Sequence, residues 1–102
     1  MQGLKTKLLI ATLVALPTVA LAGTHDPNVN LRQRDQQHRI AQGVRSGALT
    51  RDEAKSLRSE GRGIRQEERA YKSDGTLTAA ERKDLHQDLR QASRNIYVEK
   101  HD

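Results

Sequence analysis

Seven cations recur along one stretch of the chain. Arg51, Lys55, Arg58, Arg62, Arg65, Arg69 and Lys72 are spaced four, three, four, three, four, three. That rhythm places all seven on one face of a helix, each one residue after a position of an apolar stripe. Like charges at i, i+4 destabilise an isolated helix by a few tenths of a kcal/mol per pair. Asp35–Arg39, Asp52–Lys55 and Glu68–Lys72 are among the few opposite pairs that offset this locally. Two readings of the stripe stand side by side. In one it is a solvated face whose long side chains cover a thin core. In the other it is a groove for anionic partners: an envelope surface carrying lipid A phosphates or anionic headgroups, or acidic and unfolded protein. Arg62 and Arg65 lie beside Gly61 and Gly63, where missing side chains leave room for a partner to approach the backbone.

A second set of residues offers metal chemistry. If the mature chain begins at Gly23, then Gly23-Thr24-His25 presents a free amine with histidine in third place. The amine, two deprotonated backbone amides and the imidazole form an all-nitrogen square plane that suits Cu(II) or Ni(II). Pro27 lies beyond the chelate and does not block it. The remaining histidines, His38, His86 and His101, make no His-x₃-His pair and read as surface residues. No nucleophile elbow, phosphate-binding glycine loop or pair of carboxylates in an apolar setting is present. The chain reads as non-enzymatic.

The elements that position these residues come from an internal repeat. Gly47-Ala48-Leu49-Thr50-Arg51-Asp52-Glu53 returns 28 residues later as Gly75-Thr76-Leu77-Thr78-Ala79-Ala80-Glu81, and Leu57 returns as Leu85. Thr50 and Thr78 are N-cap residues, and Glu53 and Glu81 complete capping boxes three residues on. Gly47 and Gly75 suit the left-handed residue that ends a helix. Each copy is therefore helix end, tight turn, helix start. An all-α fold follows, with two helix–turn–helix units sharing their middle helix. The first helix spans about residues 31–45 with Leu31, Ile40, Ala41 and Val44 inward. The second spans about 51–72 with Ala54, Leu57, Gly61, Ile64 and Tyr71 inward, and it continues through Gly61 and Gly63 because the apolar spacing keeps phase. In that arrangement Gly61 admits a neighbouring helix closely. The third spans about 79–98 with Leu85, Leu89, Ala92 and Ile96 on one stripe.

The turns resemble a degenerate EF-hand in their Asp-Gly-x-Leu-Thr-x-x-Glu fragment, and the symmetric Leu49 and Leu77 then suggest turns that meet side by side. On a twelve-residue loop over 70–81, Asp74 and Glu81 occupy ligand positions five and twelve, but Ala70 and Lys72 stand at positions one and three, where calcium needs oxygen. In the copy at 42–53 the corresponding early positions are Gln42, Val44 and Ser46. Residual calcium binding at Asp74 and Glu81 is thus a poor fit, and capped helix turns are the simpler reading. Over residues 33–102 the chain is similar to a group of small, uncharacterised secreted or periplasmic proteins of proteobacteria. The resemblance is carried by Arg39-Ile40-x-x-Gly43-Val44-x-Ser46-Gly47-x-Leu49-Thr50, by Asp74-Gly75-x-Leu77-Thr78-x-x-Glu81-Arg82, and by Ser93-Arg94-x-Ile96-Tyr97-x-x-Lys100-His101-Asp102. It implies a helical protein outside the cytoplasm and carries no activity. The paired Leu-Thr-x-x-Glu also resembles the Leu-Thr-x-x-Gln motifs of Spy- and CpxP-type periplasmic stress chaperones, with Glu in place of Gln.

The N-terminus supplies the same address independently. Lys5 and Lys7 precede an apolar run over 8–21, and Ala20-Leu21-Ala22 places small residues where a signal peptidase reads them. The expected organisation is a signal peptide cleaved after Ala22 (residues 1–22), a flexible lead-in (23–30), a three-helix domain (31–98) and a tail (99–102). The run is short for a bilayer span, so the mature chain is expected not to cross a membrane. Without residues 1–22, 16 Lys and Arg face 13 Asp and Glu, a net charge of +3. The chain has no Cys, Phe or Trp, which excludes a disulfide scaffold, a thiolate metal site and an aromatic core. Two tyrosines and a location outside the cytoplasm argue against nucleic acid as partner. The thin core also makes dimerisation through Leu57, Ile64 and Tyr71 an expectation to test.

Overall fold

The computed structural model describes residues 23–102. The expected signal peptide, with its expected cleavage after Ala22, lies outside the described residues. Three helices form the structure: α1 (Pro27–Ser46), α2 (Arg51–Lys72) and α3 (Ala79–Lys100). No strand occurs among the described residues, and none of their helices is long and apolar enough to cross a membrane. The all-α fold with a shared middle helix is therefore present.

Helix α1 begins at Pro27, four residues before the expected start at Leu31. The cause is local chemistry. Asp26 holds a non-helical backbone (φ −148°, ψ 86°), its Oδ1 accepts from the Val29 amide at 3.4 Å, and Pro27 supplies a pre-set first-turn φ. Val29 is fully buried, so much of the expected lead-in is structured helix. The inner face of α1 is Val29, Gln36, Ile40 and Gly43. Leu31 and Val44, expected inward, are 58% and 41% exposed, and Ala41 is half-buried. Leu31 is nine residues from Ile40, half a turn away on a 3.6-residue helix, so both cannot face the core. Gln36 takes an inner position because its amide donates to the Leu89 carbonyl at 2.8 Å and to Ser93 Oγ at 3.0 Å on α3.

Both capping boxes form as the repeat implies, but only Gly47 is itself the helix-ending residue. Helix α2 ends on Ser73 in a right-handed conformation, two residues before Gly75. The side chain of Thr50 accepts from the Glu53 amide at 3.1 Å while the Glu53 carboxylate accepts from the Thr50 amide at 2.8 Å. Thr78 and Glu81 repeat the arrangement at 3.1 and 2.9 Å. Gly47 and Gly75 adopt φ of +80° and +84°. The two turns do not meet, however. The 22-residue α2 is continuous through Gly61 and Gly63, so it separates them by about 33 Å. Leu49 packs with Ile40, Ala54, Leu57 and Ile96 at one end. Leu77 packs at the other with Val29, Ile64, Leu85, Leu89 and Ala92, where Tyr71 leans against the cluster. The side-by-side pairing is thereby corrected: the repeat caps opposite ends of one bundle.

Two further expectations change. A Cβ at Gly61 would lie 3.5 Å from Arg65 Nη1 and 3.8 Å from Gln37 Nε2, ordinary contacts with side-chain ends, so no helix packs closely on that glycine. Leu57 and Ile64 point into the bundle and Tyr71 is half-buried, so most of the Leu57–Ile64–Tyr71 stripe serves the core. In α3 the expected inner face of Leu85, Leu89, Ala92 and Ile96 is buried throughout. The helix runs two residues past Val98, and the His101 ring stacks on Tyr97 with centroids 3.9 Å apart.

Candidate functional site

Helix α2 carries opposite charge on its two flanks. Within the cation stripe, Arg51, Lys55, Arg62 and Arg69 are exposed, and Arg58, Arg65 and Lys72 are half-buried. Lys72 is committed: its Nζ lies 2.6 Å from Oε2 of Glu68, whose Oε1 accepts from Gln33 Nε2 at 2.9 Å. Glu68 is buried on the apolar stripe, and these two partners account for its being there. The other six cations have no carboxylate within 4 Å among the described residues. They run along about 30 Å of a capped, uninterrupted helix. Where α2 borders α1, Arg65 shares a groove of about 440 Å³ with Asn30, Gln33, Arg34 and Gln37.

Where α2 borders α3, the chemistry reverses. Carboxylate oxygens of Glu67, Asp84 and Asp88 lie within 4.8 Å of one another. The Tyr71 hydroxyl donates to Asp84 Oδ2. A proton shared with Asp88, then burial, then the Asp88 and Asp84 charges push Glu67 up to about 7. Bonding to Asp84, burial and the neighbouring carboxylates push Tyr71 up to about 12. Glu53, Glu99 and Asp102 form a second such trio at the far end of the same seam. There the bond to Glu53 raises Glu99, while the Thr50 backbone amide, as the main cause, lowers Glu53. Oxygen trios of this kind are the ligand type hard cations use. Of these six residues only Glu53 had a structural role legible in the sequence, and only the i, i+4 spacing of Asp84 and Asp88 hinted at a cluster.

The calcium candidates are employed otherwise. Asp74 Oδ1 accepts from the Thr76 amide at 3.0 Å, and the Glu81 carboxylate closes its capping box. Neither belongs to an acidic trio, and the structure does not bring them together as ligands. Of the copper candidates, Gly23 and Thr24 are half-buried and His25 is exposed. The Gly23 carbonyl accepts from the Leu77 amide at 2.6 Å and the His25 carbonyl accepts from Arg82 at 3.0 Å, tying this segment to the second turn and α3. Beside it, the buried Asp26 carboxylate faces Arg82 Nη1 at 3.1 Å and His86 Nε2 at 3.4 Å. His86 therefore meets a carboxylate that sequence spacing did not reveal. His38 and His101 are exposed.

Comparison with protein-family models, with curated proteins and with solved structures gives no significant match. The residues themselves carry the functional argument.

Proposed function

We propose that this is a non-enzymatic, chaperone-like binding protein of the periplasm or the extracellular space, which holds anionic partners on the basic flank of α2. One observation carries the reading: six cations without carboxylate partners are aligned along a rigid helix. A face meant only to shield the core gains nothing from that mutual repulsion, whereas an anionic envelope surface or an acidic protein segment would relieve it. The surface groove between α1 and α2 fits binding better than turnover.

The test is the quadruple variant Arg58→Gln, Arg62→Gln, Arg65→Gln, Arg69→Gln. It is expected to keep its helical circular dichroism, since none of the four is in the core. It should lose association with anionic vesicles or lipopolysaccharide. Wild-type binding should weaken steeply between low salt and about 0.2 M, where the screening length falls below ~10 Å. Unaltered retention of the variant on anionic vesicles would rule the basic face out.

A further inference from the structure

The α1–α2 groove is more specific than a charged surface. Asn30, Arg34 and Gln37, spaced four and three, share one face of α1, and Arg65 comes from α2. All four offer N–H donors. Among the described residues neither Arg34 nor Arg65 has a carboxylate partner. Glu68, which holds the groove residue Gln33, is already satisfied by Gln33 and Lys72 and is buried. The space over Gly61 is bordered by both the Arg65 guanidinium and the Gln37 amide. The volume, about 440 Å³, falls within the range of small-ligand sites.

Two guanidiniums lining one groove repel until counter-charge enters, and each is a fork matched to an oxyanion. A carboxylate or a phosphodiester brings a single negative charge. A phosphate monoester brings nearly two at neutral pH, together with three acceptor oxygens. We propose that the α1–α2 groove binds a phosphate monoester between Arg34 and Arg65, with the Asn30 and Gln37 amides donating to its remaining oxygens. This rests on the basic-face reading and narrows it to one chemical group. The acidic trio of Glu67, Asp84 and Asp88 repels the same group from the other side of α2.

Glycerol 3-phosphate and two vesicle types of equal surface charge, one bearing phosphatidic acid (a monoester) and one phosphatidylglycerol (a diester), test this on the whole protein. NMR titration with glycerol 3-phosphate should shift the Asn30 and Gln37 side-chain amides. Arg34→Gln and Arg65→Gln should each weaken binding roughly tenfold or more, the loss typical of a charge-assisted bond. Arg65→Lys should also weaken it, because the charge stays and the fork goes. Arg90→Gln, on the exposed side of α3, should bind as wild type. Preference for phosphatidic acid, with no competition by glycerol 3-phosphate, identifies a lipid headgroup as the source. Competition by the soluble ester identifies a free metabolite. Equal binding of the two vesicle types, with Arg34→Gln and Arg65→Gln no weaker than Arg90→Gln, overturns the groove and leaves the basic face standing. Absence of both vesicle binding and glycerol 3-phosphate shifts in wild type overturns both.

Discussion

A methyl group at Gly43 would sit 2.6 Å from Leu49 Cδ1 and 2.7 Å from Cγ. The Gly43 carbonyl also accepts from the Leu49 amide at 3.0 Å, so the first turn folds back directly onto this residue. Leu49 is buried among four core neighbours and cannot withdraw freely. Gly43→Ala should therefore destabilise the protein by about 1–3 kcal/mol, the usual cost of overpacking. Gly63 faces open space and Gly61 only side-chain ends. Gly61→Ala and Gly63→Ala should each stabilise by up to about 1 kcal/mol, the helix-propensity difference between the two residues. Thermal unfolding of the three variants checks this: a Gly43→Ala midpoint equal to wild type would show that Leu49 is not held there. The Gly-x-Leu spacing revealed the turn but not this contact. Nothing in the one-dimensional pattern says that Leu49 folds back onto Gly43 of α1.

At the scale of elements, the capping boxes and the inner stripe of α3 were readable because each depends on neighbours within one turn of chain. Helix α1 was not, since its phase depends on α3. Gln36 is an inner residue only because Leu89 and Ser93 offer it acceptors, and Asp26 is a cap whose carboxylate faces Arg82 and His86, more than fifty residues away. The acidic seam between α2 and α3 was hidden for the same reason, although Glu67, Asp84 and Asp88 give it a measurable signature. Glu67 lies above its ordinary value near 4.5, at about 7. A carboxyl raised on folding contributes its full stability below the unfolded value and loses it as pH rises through the folded one. The contribution should therefore be complete below about pH 4.5 and fade by about pH 7, and the raised Glu99 acts in the same direction. Wild type should lose more melting temperature than Glu67→Gln between about pH 5 and about pH 8. Equal slopes would mean that the trio does not share a proton in solution.

For the molecule as a whole, cations dominate the side of α2 toward α1, and carboxylates dominate the side toward α3. The unpaired cations repel along the helix at low ionic strength. Raising salt from about 0.01 M to about 0.2 M shortens the screening length from about 30 Å to below 10 Å. This should raise the melting temperature of wild type more than that of the quadruple glutamine variant, and at low salt the variant should be at least as stable. A variant less stable than wild type at every salt concentration would show that the arginine stems are needed as cover for the core. The periodicity of the stripe was plain in the sequence. Which neighbour each flank of α2 meets was not, because that depends on how α1 and α3 dock, and docking is decided by Gln36, Glu68 and the two apolar clusters together.

Each of those clusters takes members from all three helices. The α1–α2 hairpin alone therefore lacks Leu85, Leu89, Ala92 and Ile96, and Gln36 would have no acceptor to meet. Closure cannot proceed piece by piece from the N-terminus. A chain that emerges N-terminus first holds neither cluster complete until α3 is present. Both ends of the bundle then close on the same helix, through Leu85, Leu89 and Ala92 at one end and Ile96 at the other.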